Sequence, residues 1–387
     1  MLRALKASHL TAGLIVVLVG YTSSVAIIFQ AIAAVGASQA EAASWMMALG
    51  LGMGITTLVL SLATRMPVLT AWSTPGAALL ATGLDGVSLP EAVGAFLFCG
   101  ALLTLTGLTG WFERLARLIP EHLANALLAG VLFPFGLAAF KALGSDTTLV
   151  AGMALAFLVG RLALPRYAVP LALVVGVGIA AVTGQFSSAQ TLGFALSAPI
   201  FVMPAFDWTV LLGIGLPLYV VTMCSQNIPG VVTLRGSGYQ PPVSLALTVT
   251  GLASLLLAPF GGYAFNLAAI TAAITAGPEA DEDPKTRYLA SVVAGLAYCL
   301  VGLGGAAVIG LFLMAPPALV AAIAGLALLG TIGTSLSRAL EAPEGREAAL
   351  VTFMVALSGA SFFGIGAPFW ALIIGYGTHA LMSRRRP

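Results

Sequence analysis

The strongest constraint on this chain is a series of long apolar runs whose central positions carry no ionisable side chain. All 14 acidic residues and all 16 lysines and arginines fall between the runs or near their ends. Hydrophobic residues make up 59% of the chain, charged residues make up 8%, and the mean hydropathy is +1.05. Such a chain buries its apolar surface in lipid, so we predict an all-α polytopic membrane protein.

Glycine, proline and charged residues divide the sequence into fourteen predicted membrane crossings. They lie at 9–35, 42–62, 67–84, 91–110, 121–141, 147–163, 167–184, 207–233, 240–258, 260–277, 287–304, 316–338, 347–364 and 367–382. With both termini in the cytoplasm, fifteen of the 16 lysines and arginines are cytoplasmic and only Lys141 is not. A missed crossing would invert every later loop, so the bias favours this count and a cytoplasmic anchor at Arg384, Arg385 and Arg386.

A weak internal repeat divides the chain into two halves. The segment that begins at Pro120 resembles the one at Pro316, 196 residues later, and Pro170 and Pro368 are 198 residues apart. Seven crossings in each half require the halves to have opposite orientations, which predicts a 7+7 inverted repeat. We expect the first repeat at 1–188, an extracytoplasmic connection at 189–206 and the second repeat at 207–387.

The third crossing is interrupted in its middle. Ser73 and Thr74 are helix-capping residue types, and Pro75 suits the first helical position. Because a residue before proline favours extended geometry, we predict an extended segment over 69–73 and a short helix over 75–84. These lengths add up to roughly 30 Å, which places the break near the middle of the bilayer, where irregular backbone is tolerated in a protein-lined cavity.

The repeat predicts a second break in the tenth crossing. Pro259, Gly261 and Gly262 oppose an ordinary helix start, and Asn266 is a suitable cap for a helix that ends at Ala276. The two short helices would enter from opposite sides and bring their N-termini together at mid-membrane. Free N–H groups and the positive ends of two helix dipoles favour an anion there.

The predicted substrate-binding residues surround these breaks. They are Tyr21, Ser24, Trp72, Ser73, Thr74, the N–H groups of Gly76 and Ala77, Gln226, Tyr263, Phe265, Asn266 and the N–H groups of Leu267 and Ala268. The aromatic members suit a flat ligand but also fit ordinary core packing. Gln226 and Asn227 point about 100° apart on a helix, so we expect only Gln226 to face the ligand. The sequence carries no nucleotide loop, metal-ligand cluster or catalytic constellation, so we expect no cofactor, metal, nucleic acid or enzymatic activity.

Three segments, 12–30, 65–80 and 260–274, resemble the benzoate–proton symporter (BenE-type) family, which is distantly similar to uracil/xanthine permeases and sulfate permeases. The resemblance implies a secondary transporter of the bacterial inner membrane that imports an aromatic carboxylate with a proton. It also implies a core domain at 9–110 and 207–304, a gate domain at 111–188 and 305–382, and substrate between crossings 3 and 10. A homodimer and an elevator-like motion of the core domain are further implications.

One departure from the distant relatives concerns the proton. Uracil permeases carry membrane-embedded glutamates in crossings 8 and 10, whereas the matching regions here offer Gln226 and Asn266. The proton would therefore travel on the substrate or on a residue that the sequence does not identify. Two other functions stay open: a transporter or exchanger of small inorganic anions such as sulfate or bicarbonate, and a nucleobase carrier that pairs with Gln226 and Asn266.

Overall fold

The computed structural model describes residues 5–112, 114, 120–187, 196–269, 271–341 and 343–383. The predicted anchor at Arg384, Arg385 and Arg386 and positions 189–195 of the predicted connection lie outside these residues. The described part is almost entirely helical, with one two-stranded β-ribbon inside it. The ribbon lies where two apolar segments are interrupted, and the helices surround it.

Chain order defines the element labels. The first half contains α1 (Ala7–Ala34), α2 (Gln39–Thr64), β1 (Thr70–Ala71), α3 (Thr74–Gly83), α4 (Leu89–Thr109), α5 (Glu121–Lys141), α6 (Thr147–Ala163) and α7 (Ala168–Val182). The second half contains α8 (Trp208–Gly236), α9 (Val243–Leu257), β2 (Asn266–Leu267), α10 (Ala272–Ala276), α11 (Tyr288–Leu303), α12 (Gly305–Met314), α13 (Pro317–Glu341), α14 (Arg346–Leu357) and α15 (Ala367–Ser383).

Eight of the described helices are long and apolar enough to cross a membrane. A ninth span is possible if α11 and α12, which meet at a 64° bend, cross together. Helices α1, α13 and α15 begin and end within three residues of the apolar runs predicted at 9–35, 316–338 and 367–382. The chain is thus a multi-pass helical membrane protein, and the arrangement of fourteen crossings in two inverted repeats stays a prediction.

Glycine allows the helices to pack with their backbones almost in contact. Helix α2 packs along α11, α4 along α9, and α5 along α13. A Cβ atom at Gly50 of α2 would lie 2.4 Å from the Cα atom of Gly302 on α11. Lipid gives helices no hydrophobic reason to associate, so such close van der Waals contact is the main source of their attraction.

The β-ribbon joins the two interrupted segments in the interior. Thr70 pairs with Leu267 and Ala71 with Asn266 in an antiparallel register, and the Ala268 N–H donates to the Leu69 carbonyl at 2.9 Å. Backbone groups away from water need internal partners, and the ribbon supplies them where helical bonds are missing. The predicted extended segment before Ser73 is therefore present.

The end of the predicted connection lies across one end of the helices. Residues 196–206 have no regular secondary structure. Their N–H groups nevertheless donate to Leu303 O at 3.0 Å, Pro259 O at 2.8 Å and Pro90 O at 2.9 Å, from Ser197, Val202 and Ala205 respectively. These bonds tie the segment to the ends of α11, α9 and α4, so this strap spans elements from both halves of the chain.

Candidate functional site

The first break has the capped geometry that its sequence predicts. Ser73 has extended backbone, its hydroxyl accepts from the Gly76 N–H at 3.1 Å, and Pro75 occupies the first turn of α3. The observed helix is within one residue of the predicted 75–84 range. The Thr222 hydroxyl of α8 also donates to Ser73 Oγ at 2.9 Å. This break is therefore held by its own cap and by a neighbouring helix.

The predicted start of the second short helix is wrong. Asn266 lies in β2 rather than at an N-cap, and its side-chain amide donates to the Ala264 carbonyl at 2.8 Å. The Leu267 N–H donates to Asn227 Oδ1 at 3.0 Å. Because strand pairing and Asn227 already use these groups, no helix starts at Asn266, and α10 begins only at Ala272.

Helix α8 contacts the first break through Thr222 and the second through the irregular turn that follows it. The π-helical turn Met223–Asn227 lies opposite the ribbon, and π-turns inside helices are frequent at functional sites. Asn227 is fully buried and holds β2, whereas Gln226 lines a cavity beside the breaks. Of this pair, Gln226 borders the cavity and Asn227 does not, and the contact of Gln226 with a ligand stays a prediction.

That inner cavity has a volume of about 160 Å³ and lies between α1, the two breaks, α8, α11 and α13. Its lining combines hydroxyl, amide and aromatic side chains with small apolar residues. The lining residues are Gly20, Ser23, Ser24, Met53, Ala71, Trp72, Thr74, Pro75, Ser225, Gln226, Ala268, Ala269, Thr271, Tyr298, Ala327, Leu328 and Thr331. No lysine, arginine, histidine or carboxylate belongs to this lining among the described residues.

Four of the predicted site side chains line the cavity: Ser24, Trp72, Thr74 and Gln226. They are brought together in part by a direct contact, because the Trp72 indole N–H donates to Ser24 Oγ at 2.8 Å. The Ala268 position, predicted for its N–H group, also lies at the cavity wall, but that N–H donates to the β1 side of the ribbon.

The other predicted residues lie behind the wall. Tyr21 packs edge-on against Trp72 with ring centroids 4.8 Å apart, and Tyr263 packs against Phe96 at 5.4 Å. The Phe265 ring fills the space beside Gly52 of α2. The remaining predicted residues outside the cavity lining are Ser73, Gly76, Ala77, Asn266 and Leu267.

The N–H groups predicted to hold an anion at the first break are already used. The Gly76 N–H donates to the Ser73 hydroxyl, and the Ala77 N–H donates to the Ser73 carbonyl at 2.7 Å. Only the first turn of α3, at Thr74 and Pro75, lines the cavity. Recognition of a polar ligand therefore falls to side chains around the helix start more than to the helix N–H groups themselves.

Five polar side chains of the cavity make no hydrogen bond to another described residue. They are Thr74, Gln226, Thr271, Tyr298 and Thr331. Sequence reasoning missed Thr271, Tyr298 and Thr331, and the set of predicted site residues also leaves out Ser23 and Ser225. The last two adjoin predicted residues, but Tyr298 and Thr331 lie in helices whose sequences carry no signal of a site. Unpaired hydroxyl and amide groups beside aromatic rings can accept a ligand with one polar end and one flat apolar end.

Charged groups gather away from the cavity, in the segment that follows α10. Asp281 accepts from Lys6 Nζ at 3.0 Å, and its other oxygen lies 3.0 Å from His9 Nε2. The hydrogen bond from Lys6 and the Asp283 N–H hold the pKa of the Asp281 carboxyl well below its usual range. This cluster joins the start of α1 to the end of the second broken segment.

Comparison with known proteins agrees with this architecture. The chain is 48% identical to "Inner membrane protein YdcO" of Escherichia coli over 366 residues, covering 95% of this chain and 93% of that one. It is 37% identical to the "Benzoate membrane transport protein" of Acinetobacter baylyi over 364 residues, covering 94% and 92%.

Solved structures share the fold at low sequence identity. The transmembrane domain of the cyanobacterial bicarbonate transporter BicA gives a TM-score of 0.67 at 13% identity, with 96% of this chain and 97% of that chain covered. The murine anion transporter Slc26a9 in its inward-facing state gives 0.65 at 13% identity, with 97% and 68% covered. The family model described as benzoate membrane transport protein matches residues 3–381. This chain therefore belongs to the BenE family of benzoate membrane transport proteins.

Proposed function

We propose that this protein is a secondary active transporter that imports benzoate or a related aromatic carboxylate together with a proton. The inner cavity carries the proposal: it places unpaired polar side chains at the first break beside Trp72 and Tyr298, without a fixed charge in the described lining. An engineered cavity of about 150 Å³ binds benzene, so a volume of about 160 Å³ suits one aromatic ring.

The carboxylate would lie against Thr74, Gln226 and Thr271. Thr74 opens α3, where the helix dipole favours negative charge, and the hydroxyl and amide groups are neutral donors. This assignment replaces the main-chain donors at Gly76 and Leu267, because both already have partners. The ring would lie among Trp72, Tyr298 and the side chains of α1 and α13.

The proton would travel with the substrate or on a residue not yet identified. A carboxyl reference pKa near 4 leaves little benzoic acid at neutral pH. Asp85, Glu91 and Asp207 lie at or beyond helix ends rather than in the inner cavity. Proton flux in liposomes that contain each neutralised variant tests this. Loss of coupling in any one variant would exclude a proton carried by the substrate alone.

Packing symmetry supports the finer architecture that we propose, namely fourteen crossings in a 7+7 inverted repeat. The pair α2–α11 corresponds under the repeat to α9–α4, and the pair α6–α7 corresponds to α14–α15. We further propose that the core domain at 9–110 and 207–304 moves like an elevator against the gate domain at 111–188 and 305–382. The transporter would act as a homodimer in the bacterial inner membrane, with both termini cytoplasmic.

Uptake into proteoliposomes under an inward proton gradient tests the function. Labelled benzoate should accumulate, and excess benzoate should compete more than tenfold better than sulfate, bicarbonate or uracil. Thr74→Val and Gln226→Leu should each lower benzoate affinity, whereas Thr109→Val, at the exposed end of α4, should leave it unchanged. Equal competition by sulfate and benzoate would contradict the aromatic-pocket assignment.

A second candidate is a transporter or exchanger of small inorganic anions. It is favoured by the neutral donors of the cavity and by the fold shared with a bicarbonate transporter and an anion transporter. The same donors would serve, but Trp72 and Tyr298 would have no ring to contact. Trp72→Leu discriminates between the two: it should weaken benzoate binding and leave the binding of an inorganic anion unchanged.

A nucleobase carrier is less well supported. It would pair its substrate with Gln226 and Asn266, but Asn266 lies outside the cavity lining.

A further inference from the structure

A second, larger cavity continues from the inner one towards the end of the molecule where α5 begins and α13 ends. We call this cavity the vestibule; its volume is about 880 Å³. The two cavities share the residues Ser225, Ala269, Ala327 and Thr331, so they are adjacent and these four residues lie at their boundary. The charge bias of the sequence predicts that this end faces the cytoplasm.

One face of α13 forms the length of the vestibule wall. Ala327, Thr331, Thr334, Arg338 and Glu341 all line it, at alternating spacings of four and three residues. At 1.5 Å per residue, this stripe extends for about 21 Å from the inner cavity to the end of the helix. A ligand that leaves the inner cavity towards this end must pass along the stripe.

Four charged side chains line the vestibule among the described residues: Glu121, Arg161, Arg338 and Glu341. Three of them mark the mouth, because Glu121 is the first residue of α5 and the other two lie in the last turn of α13. Arg161 reaches further inward. Its Nη1 atom lies 3.9 Å from the position of a Cβ at Gly330, which is eight residues, or about 12 Å, before Arg338.

The Arg161 guanidinium has no carboxylate partner in the described part of the chain, where the ion pairs involve Lys6, His9 and Arg166. It lies beside Gly330, next to Thr331, which belongs to both cavities. It is therefore the innermost fixed charge on the described route, and its donors are available to a ligand.

An aromatic ring accompanies this guanidinium. Phe157 precedes Arg161 by one helical turn on α6, and both line the vestibule. A guanidinium offers a planar pair of donors that matches a carboxylate, and a phenyl ring can pack against a flat apolar group. Together they supply the two contacts that an aromatic carboxylate needs, on one face of one helix.

We propose that Arg161 and Phe157 form a second substrate site, which holds the aromatic carboxylate in transit between the inner cavity and the cytoplasm. This site rests on the proposed function for its ligand. It differs from the inner site in using a full positive charge, so binding there should weaken as salt rises, whereas binding to neutral donors should respond less. The mouth arginine Arg338, beside Glu341, should contribute little.

Arginine modification of the unaltered protein tests the site directly. Phenylglyoxal reacts with exposed arginines, and mass spectrometry of peptides measures the rate at each one. Saturating benzoate should slow modification of Arg161 at least fivefold and that of the internal control Arg338 less than twofold. The protection should persist in a Thr74→Val, Gln226→Leu double variant, because that variant alters only the inner site.

Variants of Arg161 test the same site without a chemical reagent. Arg161→Gln should lower the rate of benzoate release into the cytoplasm several-fold and remove its salt dependence, and Arg161→Lys should restore part of both. If the protein transports benzoate but Arg161 is neither protected nor salt-linked, the vestibule site is wrong and the proposed function stands. If the unaltered protein neither transports benzoate nor shows protection, both proposals fail.

Discussion

The first broken segment ends in a ten-residue helix capped by Ser73, whereas the second passes through β2 and ends in a five-residue helix. Both broken segments receive a hydroxyl contact from the helix that precedes them. Thr57 of α2 accepts from the Thr70 N–H at 3.0 Å, and Ser254 of α9 accepts from the Phe265 N–H at 3.0 Å. The two broken segments are thus held by hydroxyl groups in the same way, but they differ at the start of the helix that follows.

This difference separates two tasks. The first break presents Trp72 and Thr74 to the inner cavity, so its rigid cap fixes the position of polar and aromatic contacts. The second break contributes the small residues Ala268 and Ala269 and one polar side chain, Thr271, and its backbone depends on Asn227 of α8. We infer that the first break supplies the aromatic contact and a rigidly held polar one, and that the second supplies mainly shape, held by a side chain from elsewhere.

The largest effect should follow from Gly52→Val, which attacks the second break from α2. A Cβ at this position would lie 2.0 Å from Cζ of Phe265, whose side chain is fully buried and has no free space to enter. Overpacking of this kind costs up to about 3 kcal/mol or more, so we expect a marked fall in the melting temperature in detergent.

Gly178→Ala is the matched control, because a Cβ at Gly178 of α7 meets no atom within 4 Å. Its melting temperature should equal or slightly exceed that of the unaltered protein, since alanine favours helix more than glycine does. If Gly52→Val melted at the same temperature as Gly178→Ala, the close packing of Phe265 against α2 would be refuted.

Next in size is the difference between Asn227→Ala and Thr222→Val, two changes one turn apart on α8. The first leaves the buried Leu267 N–H without an acceptor, at a cost of about 1–3 kcal/mol. The second removes one donor to Ser73, whose hydroxyl keeps its bond to Gly76, at a cost of about 1 kcal/mol. Unfolding in mixed micelles measures the stability loss of both variants. A larger loss for Thr222→Val than for Asn227→Ala would contradict the inference that the second break depends more on α8 than the first does.

An effect smaller than that of Asn227→Ala is expected for Ser73→Ala, which removes the cap of the first break. Loss of a capping hydroxyl costs about 1 kcal/mol. Ser38→Ala is the control, because Ser38 caps α2 at 3.3 Å from an exposed position where water can replace it. Benzoate affinity should fall for Ser73→Ala and not for Ser38→Ala. Equal benzoate affinities in the two variants would show that the Ser73 cap does not contribute to recognition.

The smallest effect concerns Glu279, beyond the end of α10, which pairs with Arg166 at 2.5 Å. Arg166 lowers the pKa of this carboxyl, so the pair stabilises the fold above the ordinary glutamate pKa, near 4.3, and the contribution disappears as pH falls through the lowered pKa. Both side chains are about half exposed, so Glu279→Gln should cost less than about 1 kcal/mol at pH 7. The difference should shrink as the pH falls and disappear below the lowered pKa of Glu279, and a difference that grew on acidification would contradict this origin.

Local sequence rules were sufficient for the first break and insufficient for the second. Ser73, Thr74 and Pro75 carry capping chemistry within three residues, so the start of α3 could be predicted to within one position. Asn266 has equally good capping chemistry, but Asn227 and Leu69 compete for the N–H groups that a helix start would leave free. That competition comes from residues about 40 and 200 positions away, and no local pattern contains it.

The residues of the cavity wall show the same contrast between local and distant causes. Thr74 and Gln226 could be predicted because they adjoin a break or form part of a polar cluster, whereas Tyr298 and Thr331 reach the cavity only through the packing of α11 and α13. Tyr21 and Tyr263 illustrate the opposite error. Tyr263 lies next to a break in sequence and Tyr21 lies in the first crossing, and both were predicted to contact the substrate, yet their rings face other aromatic side chains behind the wall. Apolar periodicity does not say which of two buried faces borders an empty space.

The β-ribbon sets an order of events during synthesis. Leu267 follows Thr70 by 197 residues, so the partner of β1 does not exist when the first half enters the membrane. At about 5–20 residues per second, the ribosome needs roughly 10–40 seconds to make it. During that interval the backbone at Thr70 must rely on Thr57 or on water, which makes the nascent first half dependent on the insertion machinery until the second half arrives.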